Sequence, residues 1–134
     1  MKKLRKTKHG DYEKDIIFPV FVGYRIHVVF TDDLRKSRIA RYGDEGLSEE
    51  AAAMHCIAKN GNAHLIFNTE KANPGILAHE SWHAIRGMLE WAGAELDNEV
   101  VAYHLGYLFQ HVFDFWLDIP GPNKVRKNFK KHKS

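Results

Sequence analysis

The sequence predicts a small α+β domain in which an antiparallel β-sheet packs on two helices, the second long and apolar. Residues 15–30 are rich in Ile, Val, Phe and Tyr, as β-strands commonly are. Apolar residues then recur at helical spacing over residues 76–92 and again over 97–117. With 134 residues, of which 44% are hydrophobic, the chain can bury one core but has little room for a second domain.

The first half of the chain is expected to supply the sheet. Its apolar stretch is broken at Pro19 and Gly23, so residues 24–30 are predicted to form a mostly buried strand. Residues 31–42 are charged and have few apolar anchors, which indicates a short helix or excursion that ends at Gly43.

A β-hairpin is predicted around Asn60-Gly61, the preferred dipeptide of a two-residue type I′ turn. Such a turn would place Ile57 opposite His64. Either strand of this hairpin could form an edge of the sheet, and we favour the second strand for that position.

Two consecutive helices are predicted in the second half. Asn73-Pro74-Gly75 is a turn-like start to the first helix, and Gly93 can take the left-handed conformation that ends it. The second helix is expected to follow Asp97, because a carboxylate can accept hydrogen bonds from the free N–H groups of a helix N-terminus.

The first of these helices carries the residues that point to chemistry. His79 and His83 are four apart, so they lie on one face of the helix about 6 Å from each other and can reach one metal ion. Glu80 is placed beside the first histidine, where it can take a proton from a water molecule at the metal. This is the HExxH pattern of zinc peptidases.

A catalytic zinc site needs a third protein ligand and one open position for water. The segment NEVVAY at 98–103 resembles the NExxSD segment of the thermolysin-like gluzincins. Paired with HExxH, it is also similar to the ImmA/IrrE-type peptidases and to small phage-encoded zincin-like proteins, over about residues 73–112. This resemblance implies a minimal zincin-like fold that binds Zn²⁺ through His79, His83 and Glu99, with Glu80 as the general base.

The sequence departs from the gluzincin pattern in one informative place. Tyr103 stands where NExxSD ends in the Asp that orients a zinc-bound histidine. A ligating histidine nearly always gives its other N–H to a carboxylate or a carbonyl. Asp97, Glu95 or a backbone carbonyl would have to serve here.

A different connection between the helices would change the third ligand. If the link is a tight helical hairpin, Tyr103 or His104 would lie level with His83, which makes His104 the rival of Glu99. Tyr103, His104 and His111 are also the candidates for donating a hydrogen bond to a developing oxyanion. Small zincins bind an extended substrate along an edge strand, a role that either strand of the hairpin could take.

The histidines outside the motif are expected to be structural or exposed, although two of them could line a cleft. Those expected to be structural or exposed are His9, His27, His55, His64, His111 and His132. The pair that could line a cleft is His55 and His64.

Charge is concentrated in the two ends of the chain. Eleven of the 20 basic residues lie within residues 2–8 and 124–133, and neither segment holds an acidic residue. The part between them carries nine basic and 17 acidic residues, a net charge of −8. We therefore predict a basic N-terminal tail (1–12), a zincin-like domain (13–119) and a mobile basic C-terminal tail (120–134) after Pro120-Gly121-Pro122.

The remaining features bear on location and partners. The sequence has no apolar run long enough for a membrane span and no recognisable secretory signal. Its single cysteine, Cys56, rules out an internal disulfide and suits a reducing cytoplasm. We expect a monomer or a homodimer.

Two functions remain open at this level. The first is a cytoplasmic zinc peptidase that hydrolyses a protein or peptide substrate. The alternative is a non-enzymatic regulatory or nucleic-acid-binding protein whose basic tails engage phosphates and whose metal site is structural. A structural zinc site is closed by four protein ligands and has no need of a base at Glu80.

Overall fold

The computed structural model describes residues 4–7, 10–21, 23–43, 51–57 and 61–132. It confirms the predicted α+β class. The described elements are β1 (Tyr12–Phe18), β2 (Tyr24–Thr31), α1 (Leu34–Tyr42), β3 (Ala53–Ile57), β4 (Ala63–Asn68), α2 (Pro74–Trp91), α3 (Asn98–Asp118) and α4 (Lys124–His132). A 3₁₀ turn, Pro19–Phe21, separates the first two strands.

The four strands form one sheet in the order β1-β2-β4-β3. The prediction of a wholly antiparallel sheet was wrong, because β2 and β4 pair in parallel. The prediction that the second strand of the hairpin forms an edge of the sheet was wrong as well. That strand, β4, is central, and the first strand, β3, is at the edge. The physical reason lies in β4: Leu65, Ile66 and Phe67 are fully buried, so this strand is apolar on both faces.

The β3–β4 hairpin is shifted by one residue from the predicted register. Ile57 lies opposite Ala63 and not opposite His64, and His55 lies opposite Leu65. The predicted two-residue turn includes Asn60, which lies outside the described residues. A shift of one residue turns every side chain of a strand to the other face of the sheet. In the predicted register, His55 would have faced α1, whereas it faces α2.

The helix boundaries follow the predicted capping residues. The Asn73 side chain accepts a hydrogen bond from the backbone N–H of Ile76 at 3.0 Å, which begins α2. After the end of α2, Gly93 takes a left-handed conformation with φ of 69°. At the start of α3, the Asp97 carboxylate accepts from the N–H of Glu99 at 2.8 Å. These caps place the HExxH residues in the middle of α2, and Gly43 ends α1 in the same left-handed way.

Two helices cover one face of the sheet and one helix covers the other. Alternate residues of β2 and β4, among them Ile26, Val28 and Leu65, form the main core with α2 and α3. On the opposite face a smaller cluster joins Val29 and Ile66 to Leu34 of α1, with Met54 of β3.

The predicted mobile C-terminal tail is in large part the helix α4. The ring of Phe129 packs edge-on to Phe113 and Trp116 of α3, with centroid distances of 5.5 and 6.0 Å. The Asn123 side chain donates to backbone carbonyls just before α2, and Arg126 is only 2% exposed. Lysine density predicted a solvated tail, but the few apolar and amide contacts attach this segment to the core. No helix within the described ranges is long and apolar enough to cross a membrane.

Candidate metal centre

The helix α2 brings the two histidines of the motif together. The ring centroids of His79 and His83 are 4.9 Å apart, and the rings meet edge to face. Both side chains are exposed, whereas Ser81 between them is fully buried. The amphipathic pattern of the helix therefore leaves the histidine pair on an accessible surface.

Glu80 lies in a more enclosed position than the two histidines of the motif. Its side chain is half-buried, and this burial raises the pKa of the carboxyl group, although the nearby His79 and His83 act in the opposite direction. A carboxylate with raised proton affinity is better suited to accept a proton from water. The carboxyl group of Glu80 therefore holds a proton more tightly than that of an exposed glutamate.

Glu99, the predicted third ligand, does not join the histidine pair in this structure. It lies in the first turn of α3 with an exposed side chain, and its backbone N–H is held by the Asp97 cap. Among the residues that the structure describes, no three His, Cys, Asp or Glu side chains converge closely enough to hold a metal ion. The described structure therefore brings together two of the three predicted ligands, His79 and His83, and not the third.

His104, the rival third ligand, lies at the opposite edge of the sheet. Its Nδ1 donates to the carbonyl of Val100 at 2.8 Å, and its ring packs on Phe21, just after β1, at 5.0 Å. The strand beside the HExxH helix is β3, where Ile57 lies next to Gly87 of α2. β1 and β3 are the two outer strands of the sheet. These contacts therefore place His104 near the β1 edge, whereas the motif lies near the β3 edge.

His111, another predicted oxyanion donor, is also remote from the motif. The ring of His111 packs on Tyr107 at a centroid distance of 4.5 Å, and the Tyr107 hydroxyl donates to the carbonyl of Ile17 in β1. Tyr103 is 75% exposed. Tyr107 and His111 therefore lie near β1, whereas His83 of the motif lies beside β3.

His55 is the residue near the motif that sequence reasoning missed. It lies on β3, and its ring is nearly parallel to that of His83, with centroids 6.0 Å apart and 15° between the planes. Its Nε2 is buried and has no hydrogen-bond partner in the described part of the chain. Burial, together with the charge of His83, lowers the pKa of its imidazole. His55 was expected to be structural or exposed, or to line a cleft with His64, and the observed hairpin register places it beside His83.

A second polar cluster, also missed, crosses the opposite face of the sheet. Asp15, His27, His64 and Cys56 lie directly opposite one another on the four adjacent strands. The two ring nitrogens of His27 are 2.6 Å from Asp15 and 2.7 Å from Glu13. An open cavity of about 480 Å³ adjoins this row.

Glu13 connects this cluster to α1. Arg41 donates to the Glu13 carboxylate and to Asp11, each at 2.9 Å, and its side chain is only 9% exposed. Burial alone would raise the pKa of Glu13, but hydrogen bonds from Arg41 and His27 and the Arg41 charge lower it to about 2. The charges are thus paired with one another, which fits a structural network between α1 and the sheet.

Comparison of the chain with family models, with curated proteins and with solved structures found no match. The resemblance to zincin-like peptidases therefore rests on the motif residues of α2 and α3.

Proposed function

We propose that this chain is a cytoplasmic zinc-dependent peptidase that hydrolyses a peptide bond of a protein or peptide substrate. The observation that carries the proposal is the pair of exposed imidazoles of His79 and His83, 4.9 Å apart, with the half-buried Glu80 beside them. Neutral imidazoles are common zinc ligands, and a carboxylate in this position can serve as a base. Bound zinc would supply a Lewis acid that increases the acidity of water.

In this mechanism, Glu80 moves the proton. Its carboxylate accepts a proton from the attacking water and later delivers it to the nitrogen of the leaving amine. The raised pKa of the carboxyl group favours the first of these steps, because a stronger base accepts the proton from water more readily.

His79 and His83 would hold the metal, and the resemblance names Glu99 as the third ligand. Glu99 could fill that position only if its exposed side chain turned toward the histidine pair. The ligands that already lie together suit zinc, although imidazole also accepts other divalent transition metals.

The free edge of β3 is the proposed binding site for the substrate. This strand runs beside α2, and among the described strands it pairs with β4 alone. An extended peptide can add to such an edge through main-chain hydrogen bonds. Because main-chain pairing is largely independent of sequence, selectivity would come from side-chain contacts near His83.

A cleavage experiment with a diverse peptide mixture tests the proposed activity. The zinc-loaded wild-type chain and the Glu80→Gln variant are incubated with the same peptides, and new termini are identified by mass spectrometry. We expect the variant to lose about 10²–10⁴-fold of the cleavage rate, the usual contribution of a general base. Equal cleavage by both proteins, or no cleavage by a zinc-loaded wild type, would contradict the proposal.

A further inference from the structure

The parallel pairing of β2 with β4 makes both strands finish at the same end of the sheet. Thr31, the last residue of β2, lies opposite Asn68, the last residue of β4. The carbonyl of Thr31 also accepts a hydrogen bond from the N–H of Thr69 at 2.9 Å. Segments that contact either strand end are therefore brought together, however far apart they are in the sequence. We call this end of the molecule the carboxyl end of the sheet.

The basic segment at the start of the chain reaches the carboxyl end of the sheet. The Lys6 ammonium lies 3.5 Å from the carboxylate of Asp32, the residue that follows β2. It also lies over the ring of Tyr12, 5.9 Å from the centroid, and Leu4 packs against the main core. These contacts hold Lys6 at a defined position on the surface, with its side chain half-exposed.

The basic segment at the other end of the chain begins at the same place. The Asn123 amide donates to the carbonyls of Thr69 and Ala72, which follow β4, at 3.0 and 2.9 Å. The helix α4 starts at the next residue, Lys124, and the backbone N–H of Lys127 donates to the carbonyl of Asn123. Both lysines are exposed. The two basic segments therefore meet at the carboxyl end of the sheet.

Basic side chains from the middle of the sequence add to this surface. Lys71 is exposed and lies in the link between β4 and α2 that accepts the Asn123 amide. It lines an open cavity of about 730 Å³ together with Arg35 and Lys36 of α1. The basic residues of what we call the carboxyl-end surface are Lys6, Arg35, Lys36, Lys71, Lys124 and Lys127.

The carboxyl-end surface is net positive in a molecule whose remainder is acidic. Its acidic residues are Asp32, Asp33 and Glu70, half as many as the basic ones. One of them, Asp33, is engaged as the N-cap of α1. The chain between the two basic segments carries a net charge of −8, so positive charge is concentrated at this end of the fold. Such a charge distribution attracts a polyanion to one side of the molecule.

We propose that the carboxyl-end surface binds nucleic acid through its phosphate backbone. Lysine and arginine side chains that contact phosphates position a protein on nucleic acid without reading its base sequence. Folding assembles this surface from distant parts of the chain, and none of its residues belongs to the proposed peptidase site. The inference is therefore independent of zinc binding and of peptide hydrolysis.

An anionic membrane suits this surface less well than nucleic acid does. Helices that lie on membranes insert an apolar face among the lipids. In α4, the ring of Phe129 packs on Phe113 and Trp116 of α3, and the side chain of Arg126 is buried. The apolar side of α4 is thus directed at the protein, whereas its lysines face outward.

The salt dependence of DNA binding by the full-length chain tests this surface. A fluorescent duplex of about 20 base pairs is titrated with protein, without added metal, at salt concentrations between about 50 and 200 mM. The wild type is compared with Lys6→Gln, Lys71→Gln and Lys124→Gln, one substitution from each of three distant segments. Circular dichroism verifies that every variant is folded.

Arg25→Gln and Arg86→Gln are the matched controls, because each also removes one positive charge. Arg25 lies near the start of β2, about 20 Å along the strand from its carboxyl end. Arg86 lies about 18 Å along α2 from the first residue of that helix. Both are therefore remote from the carboxyl-end surface.

We expect the affinity of the wild type to fall as salt rises, with a slope of log affinity against log salt of about −3 to −5. Each of the three lysine substitutions should reduce the magnitude of this slope by about 0.9, the contribution of one phosphate contact. The two arginine controls should keep the wild-type slope, and two duplexes of unrelated sequence should bind with similar affinity.

Four results would overturn the assignment. The first is absence of duplex binding by the wild type at about 50 mM salt. A reduced slope in Lys124→Gln alone would restrict the interaction to α4 and reject the joint surface. Equal reductions in the arginine controls would show that net charge and not this surface governs binding. Tighter binding to vesicles of anionic lipid, or to polyglutamate, than to the duplex would replace nucleic acid by a membrane or by an acidic protein.

Discussion

The ring of His55 on β3 lies nearly parallel to the ring of His83 on α2, with 6.0 Å between their centroids. This contact links the edge strand to the HExxH helix. It depends on the register of the β3–β4 hairpin, in which His55 is opposite Leu65. The stability of that hairpin therefore matters for the proposed site as well as for the fold.

Gly61 is predicted to be essential for the conformation of the hairpin. Its φ of +88° is unfavourable for other residues, and an added Cβ would lie 3.1 Å from Nε1 of Trp91. Gly61→Ala should lower the free energy of unfolding by about 1–2 kcal/mol, measured by urea denaturation.

The matched control for this substitution is Gly106→Ala. Gly106 lies within α3, and an added Cβ there would meet no neighbouring atom within 4 Å. This variant should raise the free energy of unfolding by about 0.5–1 kcal/mol, since alanine favours the helix more than glycine does. Equal effects of the two substitutions would contradict the conformational argument.

Asn123 is predicted to fix α4 to the rest of the protein. Its amide nitrogen donates to the carbonyls of Thr69, Glu70 and Ala72 at 2.9–3.0 Å, and its oxygen accepts from the N–H of Arg126. Asn123→Ala leaves these buried groups without a partner and should cost about 1–3 kcal/mol in the free energy of unfolding.

Asn128→Ala provides the comparison for the α4 prediction, because Asn128 is an exposed asparagine on the same helix. Its effect in the same urea experiment should stay within about 0.5 kcal/mol. If Asn123→Ala is equally mild, α4 is not held by this side chain, and the segment would behave as the sequence-predicted tail.

Glu13 should make the stability of the fold sensitive to acid. Its folded-state pKa of about 2 lies below the ordinary 4.5, so its ionised form stabilises the folded state. The contribution is present above the unfolded-state pKa and is lost as the pH falls from 4.5 toward 2. Glu13→Gln should therefore lower the free energy of unfolding at pH 7 by about 1–3 kcal/mol.

Urea denaturation at a series of pH values checks the Glu13 prediction. The difference between the wild type and Glu13→Gln should shrink as the pH decreases through this range. The exposed Glu90 forms a 3.4 Å ion pair with Arg86 on the surface of α2, so Glu90→Gln is the control and should have little effect at any pH. A Glu13→Gln difference that does not change with pH would disprove the linkage.

The helices were predictable from sequence because their signals are local. Asn73 and Asp97 cap their own helices, and the spacing of His79 and His83 follows from the helical repeat. The same local information placed Gly43 and Gly93 at helix ends.

The sheet and the surroundings of the motif were less predictable, because they depend on pairing between distant segments. The parallel pairing of β2 with β4 depends on β4 being buried on both faces. The position of His55 depends on a one-residue difference in the register of the β3–β4 hairpin. Charge density around Lys124 likewise concealed the packing of Phe129, a tertiary contact that periodicity in a short basic segment does not reveal.

Zinc stoichiometry by native mass spectrometry tests the central claim most directly. The wild type should carry one zinc per chain, His79→Ala and His83→Ala should carry none, and Glu80→Gln should retain the ion because Glu80 acts on water and not on the metal. A wild-type protein that holds no zinc when zinc is supplied, or histidine variants that retain it, would contradict the account.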